Sequence, residues 1–593
     1  LKEKIAEYEI NLGDKLRYSS APAAYRFEKP LIFQNYDRTT LQRHFLKALH
    51  LEKARNLTEA LQEYKNLLMK EPDFLPALTR AAELYYRRGE TEKALQLAQE
   101  AVKLDMYNGA ANFIYALIAR HKGQFIEAKE ALTWAARDRA FQVAAYNQLA
   151  EILLSEGSLD EAHEFIQRAL RKDQQNIASL QLLALIQRKK DWPEKAEKTL
   201  KQIENIDPLN PFVQLERYWS QPTTSRWSKI RSFIKNEFPE ETILELALYY
   251  HRVNQPEECL HLLRKIDRYP TAAYWLAYLL RNRDKVESRS YLTVAKSLLP
   301  YLVFPFREES IPVFTWAIQQ APADWKAKYY LALLFWSKGR VGEAEKLLTA
   351  CGTASDFPPF YIVRGTFLKN KDQTAARDDF LKAVELGKKK WRTWHHLIRF
   401  YLDIESFPEA LKAAEQASGL FPDIMSIQAD LVESLLLNGQ FQRAVEILDK
   451  TTFLPSEGAT KIHRLFVLSH LQLGLQKVKD GNFRQAIRHF QRAKTYPEHL
   501  GTGQPYDPDW RLQDLLLGLC YLKIGEQKIA HRHFSYVREY TLKHWAESRP
   551  FHAPAALYLI KKEKMTRAVE LLKKYPCARE YKVFFDFLLK ELK

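Results

Sequence analysis

From Leu41 almost to the end of the chain, apolar residues recur at the three-and-four spacing of amphipathic helices, and short polar turns interrupt them. Within this pattern one small residue keeps a longer period. Alanine falls at 60, 94, 128, 162 and 196, and again at 48, 82, 116, 150 and 184, each step 34 residues. The period predicts five units, 41–74, 75–108, 109–142, 143–176 and 177–210, each a pair of antiparallel helices A and B. Where A, B and the next A cross, backbones approach closely and only a small side chain fits. Larger residues such as Tyr64, Leu68, Leu84, Tyr85, Leu149 and Leu200 fill the rest of the expected core. Gly89, Gly123 and Gly157 suit the left-handed residue that ends helix A. Pro72 and Pro208 are expected to stop helix B. One pair cannot bury its own apolar face, so the units must stack.

This register resembles the tetratricopeptide repeat. The fold expected is therefore all-α: an α/α superhelical solenoid of tetratricopeptide repeats, preceded by a short extended or β segment. Residues 211–324 keep helical periodicity but lose the register. "EETILELALYYHRVNQPEECLHLLRKI" reads as a helix pair there, and "LPYLVFPFREESIPVF" as an irregular stretch. From about 325 the repeat returns, with alanines at 344, 376, 410, 444, 486 and 530. This divides the helical part into 41–210, 211–324, 325–455 and 456–593. The last part holds an inserted loop at 496–510, "YPEHLGTGQPYDPDW", and a final capping helix. Residues 1–40 differ: "AEYEINLGDKLRYSS" suggests a strand and "APAAYRFEKPLIFQNYD" an extended connector.

Composition agrees with helices, since glycine is scarce at 19 of 593 residues. The net charge of +17 favours anionic partners. The excess is dispersed, however, and no run of Lys and Arg exceeds three residues, as in Lys388-Lys389-Lys390, which disfavours a dedicated nucleic-acid binder. A helical-repeat RNA reader also needs a regular code, and the fifth helix-A position reads Phe45, Thr79, Phe113, Asn147, Gln181. Cys259, Cys351, Cys520 and Cys577 form no CxxC pair and read as buried thiols. No apolar run approaches the ~18–20 residues of a membrane span.

Candidate chemistry is sparse. Nucleotide-loop, HExxH and GxSxG patterns are absent, and we assign no catalytic residue, cofactor or metal. His531 and His533, like Cys259 and His261, stand two apart on a helix and diverge. Position counting along helix A places Phe45, Lys53, Glu83, Tyr86, Arg87, Phe113, Arg120, His121, Asn147, Arg188 and Lys189 on the concave face. Such a face suits an acidic peptide or a polar glycan as well as plain solvent. A second cluster, "KKKWRTWHHLIRFY", places Arg392, His395 and Arg399 on the same face, with Trp394 expected in the core. In the inserted loop, His499, Tyr506, Asp507, Asp509 and Trp510 gather polar and aromatic groups, either for a ligand or as packing over the solenoid edge.

Beyond the repeat itself, "LRYSSAPAAYRFEKP", "LEKARNLTEALQEYKNLLMKEPDFLPALTRAAELYYRRGETEKALQLAQEAVKLDMYNGAANFIYALI" and "TYPEHLGTGQPYD" resemble a family of large bacterial proteins, Bacteroidota members especially. These carry an N-terminal β-sandwich of unknown function, similar to sugar-mutarotase folds, before a long tetratricopeptide half. The resemblance implies that residues 1–40 leave such a β domain and that the location is periplasmic or cell-surface; without it a cytoplasmic location is expected. It carries over no site residues. The expected function is a non-catalytic scaffold that binds a protein or peptide, acidic partners included, with self-association open. The alternative is one wall of a glycan site.

Overall fold

The computed structural model describes residues 9–12, 16–19, 40–455 and 460–592. The expected connector at 21–37 lies outside them. Strands Glu9–Leu12 and Leu16–Ser19 pair antiparallel, with Glu9 opposite Ser19 and Leu12 opposite Leu16, so the expected strand is a short hairpin. All other regular structure among the described residues is helical, and consecutive helix pairs stack into a solenoid. The chain forms two compact units, residues 1–344 and 345–593, which divide inside the helix Val341–Thr349.

In the first unit the pairs are Leu41–Lys53 with Leu57–Leu68, Leu75–Arg87 with Thr91–Leu104, Gly109–His121 with Phe125–Ala135, Gln142–Ser155 with Leu159–Lys172, and Ile177–Lys189 with Pro193–Ile206. Nine of the ten register alanines are 0% exposed and Ala196 is 8% exposed, as close helix crossing requires. Side-chain caps recur on the same period: Asn108 accepts from the amide of Ala111, Asn176 from that of Ser179 and Asn210 from that of Phe212. Gly89, Gly123 and Gly157 adopt φ of 69°, 77° and 84°. The equivalent places in the first and fifth repeats hold Arg55 and Asp191, at φ of 61° and 55°, where a side chain is strained.

Beyond 210 the helices are shorter: Pro211–Ser220, Thr224–Phe233, Pro239–Arg252, Pro256–Arg264, Pro270–Leu280, Lys285–Ser297, Ser310–Gln320 and Trp325–Ser337. Four of them begin on proline, which loses nothing at a first turn where the amide has no partner. The stretch expected to be irregular is so only through Glu309. Its last residues, Ile311 to Phe314, lie in a helix that tolerates Pro312 within its first turn.

The first unit curls until its early and late turns touch. Arg88 Nη2 donates to the Gly339 carbonyl (3.2 Å), and Arg340 Nη1 donates to the carbonyls of Arg88 (3.3 Å) and Gly89 (3.2 Å). A Cβ on Gly89 would lie 2.6 Å from Ile311 Cδ1, so this turn needs glycine for space as well as for φ.

The second unit stacks Pro358–Leu368 with Gln373–Leu386, Trp391–Asp403 with Phe407–Leu420, Met425–Leu437 with Phe441–Lys450, Lys461–Lys479 with Phe483–Arg492 and Arg511–Lys523 with Gln527–Lys543. His552–Lys561, Val569–Lys574 and Lys582–Glu591 follow. One apolar core runs from Ala376 to Leu592. Ala376, Ala410, Ala444, Ala486 and Ala530 are all 0% exposed, although their spacing stretches from 34 to 44 residues along the later repeats.

Candidate functional site

Helix A of each early repeat presents its outer turns to the inside of the first unit. Charge pairing there follows from the stacking, because a residue on one helix A meets the next helix A about one repeat on. Arg120 Nη1 reaches Glu151 Oε2 (2.6 Å) and Gln148 Oε1 (2.5 Å). Arg188 Nε donates to Glu216 Oε2 (2.7 Å) and its Nη1 to Glu258 (3.3 Å), while Lys189 Nζ reaches the same Glu258 oxygen at 2.5 Å. Burial alone would lower the Arg188 pKa, but Glu216 outweighs it and the guanidinium is held above its usual value. Burial likewise pushes Glu258 upward, yet the Lys189 hydrogen bond and charge win and its pKa ends below the ordinary range.

The other predicted residues of this face divide by role. Arg87 pairs with Glu83 (2.6 Å) and stays half-exposed, and Lys53 is exposed in the last turn of its helix. Phe45 packs against Tyr64 and Phe74, and Phe113 against Phe141, so both rings turn into the core. Asn147 is 8% exposed and accepts from Ser179 Oγ (2.7 Å). Tyr86 and His121 meet edge to face at 5.8 Å.

Tyr86, Arg120 and His121 form one wall of a cavity of about 750 Å³ within the first unit. A second wall comes from the irregular half: Arg252, Tyr278, Glu308 and Glu309. Arg252 Nε stands 3.3 Å from Glu151, and Glu308 pairs with Lys338 at 2.7 Å. Burial first, then Glu308 and Glu309, push the Tyr86 phenol up to about 12 against the opposing pull of Arg120 and Arg252. Sequence reasoning missed this second wall, because residues 211–324 carry no register from which to count.

In the second unit, His395 Nδ1 lies 2.5 Å from Asp430, and Arg399 Nη1 donates to Glu433 at 2.6 Å. Lys461 Nζ also reaches Glu433 (2.8 Å). Arg392 is exposed over the Trp391 ring at 4.5 Å, whereas Trp394 is buried and donates to the Lys388 carbonyl.

The 496–510 loop is tied down at both ends. His499 bonds the Leu448 carbonyl at 3.0 Å, and its own carbonyl accepts from the Phe453 amide at 2.7 Å. Asp507 pairs with His544 (2.8 Å), and Asp509 holds Arg511 through Nε (2.9 Å) and Nη2 (2.7 Å). Arg511 is wholly buried and also reaches Thr541 and His552, both at 3.1 Å. Lys494 lies over the Trp510 ring at 4.9 Å. Of the five loop residues singled out, only Tyr506 stands fully in solvent. Of the two paired motifs, His533 joins Asp514 (2.5 Å) while His531 is exposed, and Cys259 is buried while His261 meets the Tyr218 hydroxyl (2.8 Å). No helix among the described residues is long and apolar enough to cross a membrane.

Comparison with known proteins agrees with the helical geometry. A family model described as the TT21 fifth ARM repeats domain matches residues 45–154, and two tetratricopeptide repeat models match 143–176 and 306–355. The chain is a tetratricopeptide-type helical-repeat solenoid, the architecture of protein-interaction scaffolds. Among particular proteins, it is 26% identical over 272 residues to the BBSome complex member BBS4 of Bos taurus, covering 45% of this chain and 48% of that protein. It is 28% identical over 189 residues to the protein O-mannosyl-transferase TMTC3 of Homo sapiens, covering 31% of this chain and 19% of that protein. The chain thus spans about half or less of the length of these relatives. The solved APC/C hetero-tetramer Cut9–Hcn1 aligns over 89% of this chain and 97% of its own, with 15% identity and a TM-score of 0.25.

Proposed function

We propose that the protein is a scaffold that binds a protein or peptide segment in the cavity of its first unit, is non-catalytic by itself and works as part of a larger multidomain protein. The observation that carries this reading is the cavity, where repeat helices supply one wall and the irregular half the other. Its volume of about 750 Å³ falls within the range of about 300–1,000 Å³ typical of ligand sites. An acidic partner has to compete with carboxylates already in place, since Arg120, Arg188, Lys189, His395 and Arg399 each face Glu or Asp. The relatives are compatible with this reading, as one is a member of a named protein complex.

The test is to fill the cavity. Ala144 is exposed on its wall, so Ala144→Trp plugs it without disturbing the core. Partner retention by the full chain falls at least tenfold with Ala144→Trp and stays unchanged with Glu130→Trp, an exposed helix-B control. Equal retention by both variants rejects the cavity as the binding site.

A further inference from the structure

The charges lining the cavity divide into two poles, although the chain as a whole is strongly basic. At one pole the guanidiniums of Arg120 and Arg252 share a single carboxylate, Glu151, at 2.6 and 3.3 Å. One positive charge there is left over. Arg252 is half-exposed, so it is free to reach an incoming group. At the other pole, Glu308 and Glu309 adjoin, and Glu308 is already answered by Lys338 at 2.7 Å. Glu309 is exposed and makes no ion pair among the described residues, which leaves one negative charge. The remaining titratable groups on the walls are His121, His251, Tyr86 and Tyr278. Burial and the nearby Arg281 hold His251 below its ordinary pKa, which favours its neutral form. Tyr86 feels both poles, since the two glutamates raise its phenol pKa and the two arginines lower it.

A ligand of one sign therefore satisfies one pole and is repelled at the other. Plain hydration of the walls leaves both leftover charges available. A segment carrying both signs neutralises both, and each contact becomes a charge-assisted hydrogen bond in a partly enclosed site. The Tyr86 ring adds an aromatic surface beside the cationic stem, whereas the Tyr278 ring is already covered by Arg281 at 3.7 Å. Resting on the scaffold reading above, we propose that the cavity takes an extended peptide segment bearing one anionic and one cationic side chain, the anion against Arg120 and Arg252 and the cation against Glu308 and Glu309, with Tyr86 between them.

The experiment uses the full chain and four sets of labelled, capped, alanine-based peptides: Glu and Lys together at varied spacing, Glu alone, Lys alone, and neither. Fluorescence anisotropy at low salt reads the affinity. At the best spacing the mixed peptide binds about tenfold or more tighter than either single-charge peptide. Glu309→Gln removes the advantage of Lys, and Arg252→Gln removes the advantage of Glu; each leaves the other preference intact. Both substitutions are at exposed positions, so circular dichroism should show unchanged folding. The proposal is overturned if a single-charge peptide binds as well as the mixed one, if neither variant changes the ranking, or if no peptide binds. In any of these cases the loss of partner retention by Ala144→Trp still decides the scaffold reading separately.

Discussion

Closure of the first unit on itself predicts that two chemically identical substitutions will differ. Gly89 and Gly123 occupy the same turn in successive repeats, with φ of 69° and 77°. Alanine at either position meets the left-handed penalty of about 1–2 kcal/mol, partly offset by a stiffer unfolded chain. Around Gly123 an added Cβ finds nothing within 4 Å, so the net cost of Gly123→Ala is about 1 kcal/mol. At Gly89 the same atom lies 2.6 Å from Ile311 Cδ1 and 3.4 Å from Arg340 Nη1. Relieving that overlap displaces the contact through which Arg88 and Arg340 make three hydrogen bonds to backbone carbonyls. At roughly 1 kcal/mol each, their loss adds up to about 3 kcal/mol to Gly89→Ala. The assay is urea unfolding combined with hydrogen exchange of peptides spanning 85–95 and 335–345. Gly89→Ala should lower the midpoint more than Gly123→Ala and speed exchange at both peptides, and Ile311→Val should recover part of the loss in the double variant. Equal midpoints and unchanged exchange at 335–345 would refute closure through these turns.

Three further outcomes follow from the same contacts. Glu216→Gln weakens the hold on Arg188 and Tyr250 together and should cost about 3 kcal/mol, read as a lower urea midpoint. In the inserted loop, Asp509→Asn strips the counter-charge from buried Arg511 and should cost about 3 kcal/mol, while Tyr506→Ala should stay within about 0.5 kcal/mol. Burial, then His489 and Arg492, hold His470 down to about 3. Its pKa is therefore lower folded than unfolded, so its contribution is full above about 6.5 and is lost as pH falls toward 3, at about 1.4 kcal/mol per pH unit. A pH series of urea midpoints should show this slope and a shallower one for His470→Leu.

The helical architecture is readable from alanine alone, because close helix crossing admits so few side chains that the period survives every other substitution. The glycine turns are equally readable until Arg55, Asp191 and Glu405 occupy the same left-handed conformation, where stacked neighbours overrule local preference. The concave residues are readable as positions but not as chemistry. Several charge partners stand one helix A away: Glu52–Arg80 and Arg188–Glu216 lie 28 residues apart and Arg120–Glu151 lies 31 apart, a spacing that a search for opposite charge would have found. Glu308 and Glu309 have no such signal. Curvature of the stack carries them to the cavity, and no local pattern encodes curvature. The 496–510 loop illustrates a further limit, since its acidic and aromatic residues suit a ligand equally well until Arg511, His544 and Lys494 are seen to occupy them.

The most direct measurement places a photo-reactive benzoylphenylalanine at Phe125, 39% exposed at the cavity, and separately at Glu130 in the full chain. The cross-linked partner segment is then identified by mass spectrometry. A scaffold that holds its partner in the cavity yields one segment linked at 125, absent at 130 and abolished by Ala144→Trp. Equal linkage at both positions, or linkage at 125 that survives Ala144→Trp, contradicts it.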